Sequence, residues 1–527
     1  MKQVIIGLLG AGLLLVTVAS CRKESDALMS YDHDDIVAFK EAKTSFAAKF
    51  DVLWNGLNQN YAIWDYEAEH GLDWDAVYDQ YYPQFEALDK RETVSDEELT
   101  ALLQKAFGPL HDGHLAIRVS NHKTGSQVSY TPNNDRIMQR PDYNASILPV
   151  TLAYYADPAH GEVETDAEGT PLVKEFSTKV VGLMKRFAQT PGMGLMWMND
   201  TIQLLENLAE PTEMQIFVLT QLKKLKEGFT LLGTVSSEAA AVNIWNSLQA
   251  AYSFLTVPGF DPIDPGFVAH GIDVKFALLK GNIAYFRLDN FTLSTYLDDA
   301  EVGKVFSLNN PTTKECIMQI RQIWQIWFTY VQQLHKSGEL GGVIIDVRSN
   351  YGGAMDDSRY VVGSLVPSGG LHCGYLRFKR GTGRYEYSPF VPENVKTLEI
   401  PHETITEPIV ILVNCQTISM AETSALCVQT LSNGTLIGKR TWGAICSIGD
   451  NSYFSYSYAG YVGVENVTPV FGRVPSMANF TLDGKLIESE GISPDIEMDL
   501  DTNLYSTTGQ DTQLDRALQF IRAGGVK

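Results

Sequence analysis

The chain has 527 residues and a formal net charge of −22, with 44% apolar and 20% charged side chains. That composition is globular, and the length gives room for about two to four domains. The acid excess excludes a nucleic-acid surface, because a phosphate backbone calls for clustered Lys and Arg and none follows the first residues.

The first twenty residues read as a secretory signal peptide: Lys2, an apolar run from Val4 to Val18, then small Ala19 and Ser20 before Cys21. The run falls short of the roughly 20 residues a spanning helix needs. Val18-Ala19-Ser20-Cys21 resembles a bacterial lipobox. That implies an acylated Cys21, a membrane held through lipid and a place in the cell envelope, periplasmic or surface-facing. Residues 21–35 are polar and acidic and read as a tether. Cys316, Cys373, Cys415, Cys427 and Cys446 show neither CxxC nor Cys/His spacing, so no metal or other cofactor is expected.

From Ile36 the pattern is helical, with Phe39, Phe46, Phe50, Leu53 and Leu57 on one face. A second helix carries Trp74, Tyr78, Tyr81 and Tyr82. Ser95 and Glu98 form a capping box that opens a third, which ends at Gly108-Pro109. After His111-Asp112-Gly113-His114, the alternation over Leu115–Val119 predicts a strand, closing an N-terminal helical unit at 36–119. Residues 120–270 read as a mostly helical inserted cap, with helical patterns at Leu172–Phe187, Met193–Leu208, Met214–Leu232 and Ala239–Leu255. Ile272–Leu279 and Ile283–Leu288 flank a Gly281-Asn282 turn and predict a hairpin. A long helix at about 313–335 and buried strands at Val343–Val347, Ile409–Asn414 and from Leu436 complete an α/β core over 271–500. A C-terminal segment, 501–527, follows.

Two segments carry chemistry. Ser419 stands between an apolar strand and the helical pattern that starts at Met420, where free amides and the helix dipole favour developing negative charge. Ser419 and Glu422 also fit a plain capping box. The strand at 343–347 runs into Asp346, Arg348 and Asn350, and then Gly352-Gly353, where a tight turn can bring amides to a ligand.

Together these segments resemble the C-terminal-processing (tail-specific) serine proteases and their tricorn-like branch. The matching pieces are Asp346 to Gly353, Ser419 to Glu422, Ile437 to Gly443 and Gly491 to Asp495, in that order, and Asp112-Gly113-His114 fits the tricorn-like N-terminal region. The resemblance implies a ClpP/crotonase-like α/β core, with Ser419 as nucleophile and the amides of Met420 and Gly352 or Gly353 as oxyanion hole. The tail-specific lysine base would stand at position 444, which is Ala444. The tricorn-like branch implies His114 as base and Glu488 as the group that orients it. Gly113 stands where that branch has a second serine, and Asp112 is an alternative orienting group; His111 is the fallback base. Residues 120–270 show no recognisable PDZ domain.

The expected activity is therefore that of a serine peptidase acting on peptides or unfolded proteins outside the cytoplasm. An ordinary histidine base would give an acidic limb at roughly pH 6 to 7. The same core also resembles retinoid-binding repeats, which implies an alternative: a retired module that binds apolar ligands or peptides. A lipoprotein subunit presenting peptides to a partner complex is a third reading.

Overall fold

A computed structural model describes residues 38–143, 150–189, 195–235, 237–252, 263–380, 383–448 and 460–525. The signal peptide at 1–20, Cys21 and the tether at 21–35 lie outside the described residues. Among the described residues, no helix is long and apolar enough to cross a membrane. The chain is an α/β protein whose contacts divide it into two compact units. The first holds the chain up to Pro141 with Gly374–Glu393 and Ala444–Glu490; the second holds Asp142–Cys373, Asn394–Gly443 and the chain from Gly491.

In the first unit, α1 (Phe46–Asn60) and α3 (Asp96–Phe107) bury their apolar faces, whereas α2 (Trp74–Asp89) buries Trp74, Val77, Phe85 and Leu88 and leaves the expected Tyr78, Tyr81 and Tyr82 only partly buried against the same core. Phe50 stacks on Phe85 with centroids 4.7 Å apart, and the Ser95/Glu98 capping box closes in both directions. Strand β1 (Ala116–Asn121) pairs antiparallel with β2 (Ser126–Tyr130) on one side and with Val470–Arg473 on the other. The described residues of 374–393 and 444–490, expected in the core, thus fall in the same unit as the N-terminal helices. The pairing of β1 with Val470–Arg473, and of Met477–Phe480 with Tyr375–Phe378, holds them there.

The second unit is built on a seven-stranded sheet. Its strands are β3 (Val173–Ser177), β4 (Asp273–Leu279), β5 (Ile283–Leu288), β6 (Gly342–Asp346), β7 (Ile409–Val413), β8 (Gly434–Gly438) and β9 (Ile496–Glu497), in the order β9-β8-β7-β6-β5-β4-β3. The strands from β5 to β9 run parallel, and β4 and β3 are antiparallel. The β4–β5 hairpin turns through Gly281 (φ 88°) and Asn282 (φ 54°), both in the left-handed region. Every residue of β6, β7 and β8 is buried, as parallel strands covered on both faces require. One face packs Ile344, Val410 and Leu412 with Leu514, Leu518 and Ile521 of the C-terminal helix. On the core side, Phe286 stacks on Trp327 of the long helix Pro311–Ser337.

Within the insertion, residues 173–177 form an edge strand on β4 rather than the start of a helix. Val173-Lys-Glu-Phe-Ser177 gains a ladder of hydrogen bonds there, which outweighs its helical spacing. Helices follow at Val180–Gln189, Leu195–Glu206, Glu213–Thr234 and Glu238–Tyr252. Of the methionines in the first two, Met198 is fully buried.

The loop after β6 is anchored by a buried ionic cluster. Arg348 donates to both Asp346 oxygens (3.0 and 2.6 Å) and both Asp511 oxygens (3.0 and 2.7 Å), while Tyr285 Oη reaches Asp346 at 2.8 Å. Burial works to raise the Asp346 carboxyl, but Arg348 and Arg287 override it and hold its pKa at about 2. Arg348→Ala would strand two carboxylates in a dry site, an expected loss of about 3–5 kcal/mol. A fall in the denaturation midpoint at constant m in urea unfolding checks this.

Candidate active site

The second unit brings Ser419, Met420, Gly352 and Gly353 together. Both loops leave the carboxyl ends of neighbouring parallel strands, β6 and β7, which is where open α/β sheets place their sites. Asn350 locks them: its Nδ2 donates to Leu288 O (2.9 Å), its Oδ1 accepts the Gly352 amide (2.8 Å), and its carbonyl accepts the Ile418 amide (2.9 Å). Ser349 and Asn414 exchange further bonds across the two loops. A Cβ at Gly352 would lie 2.6 Å from Ser419 Cβ and 2.9 Å from Met420 N. Only glycine fits this approach, and its φ of 83° demands it as well.

Ser419 itself sits at φ 60° and ψ −122°, a conformation that costs a non-glycine residue of order 1–3 kcal/mol. The helix Met420–Thr430 begins at the next residue, and all of Met420–Val428 is buried. Glu422, fully buried, holds the turn. It accepts the Ser419 amide (3.1 Å), the Thr441 hydroxyl (2.6 Å) and the Gly443 amide (2.8 Å). Among the described residues, the amides of Met420 and Gly353 have no intramolecular acceptor, whereas the Gly352 amide is spent on Asn350. Those two amides are therefore uncommitted among the described residues.

Lys439, the lysine nearest in sequence to the empty base position, pairs with Glu497 (2.7 Å) and Asp499 (3.2 Å). Ala444 is fully buried.

The first unit brings His114, Asp112 and Glu488 together. Glu488 is fully buried and accepts three amides: Gly113 (2.7 Å), Ile445 (2.8 Å) and Cys446 (2.7 Å). These bonds act on the main chain next to His114. Asp112 Oδ1 accepts the amides of His114 (2.7 Å) and Leu115 (3.1 Å), and its Oδ2 is buried without a partner. Burial, and then the charge of Glu488, push the Asp112 carboxyl well above the usual carboxylate range. His114 Nδ1 is buried without a hydrogen-bond partner. Burial, aided by Arg473, lowers the His114 pKa to about 4, well below the expected 6 to 7. His111 is committed elsewhere: its Nδ1 lies 2.7 Å from Glu67 Oε2.

Asp112, Cys446 and Glu488 each place a ligand atom within 4.8 Å of the others, which is metal-like spacing. Glu488 already meets three amides there, and burial raises the Cys446 thiol well above its ordinary pKa. Cys446 was invisible as a site residue in the sequence, and so were Glu67 and Asp511. None belongs to a motif, and each gains its place only through tertiary packing.

Residues 282–498 match the model of peptidase family S41. A tricorn protease homolog of Saccharolobus solfataricus is 28% identical over 231 residues, 43% of this chain and 17% of that protein. The tricorn protease of Thermoplasma volcanium is 24% identical over 198 residues, 37% of this chain and 16% of that one. The chain spans only 16% to 22% of the length of the curated relatives it matches. Among solved structures, mature CPAF aligns with 93% of this chain and 99% of its own, at 13% identity and a TM-score of 0.44. Over residues 282–498, which hold Ser419, Gly352 and Gly353 but not His114, the chain is similar to peptidase family S41.

Proposed function

We propose that the chain is a serine peptidase that cleaves peptides or unfolded polypeptides by acyl-enzyme chemistry. One observation carries the reading: a strained serine at a helix N-terminus, with two uncommitted amides beside it, inside the segment similar to family S41. Ser419 attacks the scissile carbonyl, and the amides of Gly353 and Met420 receive the oxyanion. Gly352 contributes space rather than a donor, since its amide is bonded to Asn350. His114 takes the Ser419 proton and returns it to the leaving amine. Glu488 is a positioning residue that works through the Gly113 amide.

With Lys439 bound to two carboxylates, no lysine is assigned to the chemical step. Ser419→Ala and His114→Ala should each lower kcat on a peptide substrate by a similar, large factor, since groups acting as one unit fail together. Lys439→Ala should change kcat by no more than about threefold. Turnover and fluorophosphonate labelling that survive in Ser419→Ala would place the nucleophile on another residue, whereas a native chain showing neither would leave the retired binding module as the better reading.

The lowered His114 pKa sets the acid side of the profile. The neutral ring is the base, so a depressed pKa extends the active form downward in pH. The acidic limb of kcat/KM is expected near pH 4. A limb at the ordinary imidazole value would contradict a lowered His114 pKa in the working base. The same shift bears on stability: the unfolded ring binds protons that the folded ring resists, so this contribution weakens as pH falls below the unfolded value toward about 4.

The location is part of the proposal. The N-terminal sequence supports lipid attachment at Cys21, in the envelope outside the cytoplasm. Native protein should partition into detergent, and Cys21→Ala should move it to the aqueous phase. A mature N-terminus downstream of Cys21 would rule the anchor out.

A further inference from the structure

The loop from His111 to Leu115 has each of its five amides bonded to a side chain. His111 N donates to Glu67 Oε1 (2.8 Å), Asp112 N to Tyr61 Oη (3.2 Å) and Gly113 N to Glu488 Oε1 (2.7 Å). The amides of His114 and Leu115 both donate to Asp112 Oδ1. Glu67, Tyr61, Asp112 and Glu488 are all buried.

Glu67 stands at the head of this arrangement. It lies in the short helix Trp64–Glu69, well before the loop in sequence. Its Oε1 also accepts the Tyr61 hydroxyl at 2.5 Å, and its Oε2 meets the His111 ring. A phenol donates once and can still accept, so Tyr61 passes the constraint from Glu67 to the Asp112 amide. Removing the Glu67 carboxylate would leave the His111 amide, the His111 ring and the Tyr61 hydroxyl without their buried acceptor. Buried polar groups do not stay unpaired at low cost, so the loop would have to move to recover partners.

We propose that Glu67, acting through Tyr61 and the His111 amide, is a positioning residue for His114. This rests on the peptidase reading above. Glu67 touches no reacting atom; it sets where the base stands. A displacement of about 1 Å at a catalytic group costs on the order of 10²-fold in rate. The same bonds make His111 part of the support rather than a spare base.

The test uses the full chain and a peptide substrate, with Glu67→Ala, Glu67→Gln and Tyr61→Phe made alone and in a His114→Ala background. Glu67→Ala is expected to lower kcat on the order of 10²-fold, with KM within about threefold. Glu67→Gln keeps an acceptor oxygen for Tyr61 and the His111 amide, and should recover most of the loss. With His114 already removed, Glu67→Ala should lower the residual turnover of an activated ester no further, because groups acting as one unit do not add. Should Glu67→Ala fail to fold, Tyr61→Phe removes the relay while keeping the ring, and the same background comparison applies. Equal losses with and without His114 would show general damage and overturn the proposal. So would an unchanged kcat in Glu67→Ala alongside inactive Ser419→Ala and His114→Ala. A native chain that does not turn the peptide over would instead refute the peptidase reading itself.

Discussion

The Ser419 amide points into the carboxylate of Glu422, a side chain with no exposure to solvent. Burying a carboxylate costs several kcal/mol unless its oxygens are met by donors. Here they are met by the serine amide, a threonine hydroxyl and the Gly443 amide, bonds strengthened by the charge they carry. The cost is offset only while those donors stay in place. A carboxylate buried in this way therefore stabilises one loop geometry and penalises every other. The bond from its amide to Glu422 helps to hold Ser419 at φ 60°.

The same device recurs wherever a candidate group is carried on a loop. Glu488 collects three amides around Gly113 and Cys446, and Asp346 collects Arg348, Arg287 and Tyr285. Loops lack the ladder bonds that fix strands, so their order must come from elsewhere. A net charge of −22 describes the surface poorly as a guide to these acids, since Glu67, Asp112, Asp346, Glu422 and Glu488 are all fully buried. Their oxygens are met by main-chain amides, by arginine, or, at Glu67, also by the Tyr61 hydroxyl and the His111 ring.

Much of the α/β unit was legible in the sequence because its signals are local. A run such as Ile409–Val413, apolar at every position, reads as a buried strand, and the pattern from Met420 reads as a helix, so the serine between them stood out. Gly352 and Gly353 drew notice as a pair, but only the structure separates their roles: one amide is bonded to Asn350 and the other is uncommitted. What stayed hidden depends on contacts far apart in sequence. The Val173–Ser177 edge strand looks helical until β4 offers it a partner. The assignment of 444–490 to the first unit follows from β1 pairing with Val470–Arg473, and no local spacing encodes that register.

The depressed pKa of His114 shows what burial exchanges. If His114 is the base, as proposed, a pKa of about 4 makes it a weaker proton acceptor than free imidazole, yet at neutral pH it is present almost entirely in its neutral form. Its weakness has to be offset in the transition state, where the ring becomes a cation in a site that disfavours one. Two features of the first unit limit how this can happen. Arg473 opposes the cation, and the backbone hydrogen bond at Cys446 that favours it does not outweigh burial. Glu488 is bonded to amides rather than to the ring, so its bonds chiefly hold the loop. On the proposed mechanism, the rate would depend on the amides of Gly353 and Met420 as oxyanion donors and on the accuracy with which the 111–115 loop is held. That is a physical reason for a fully buried acid to stand behind each of the two loops.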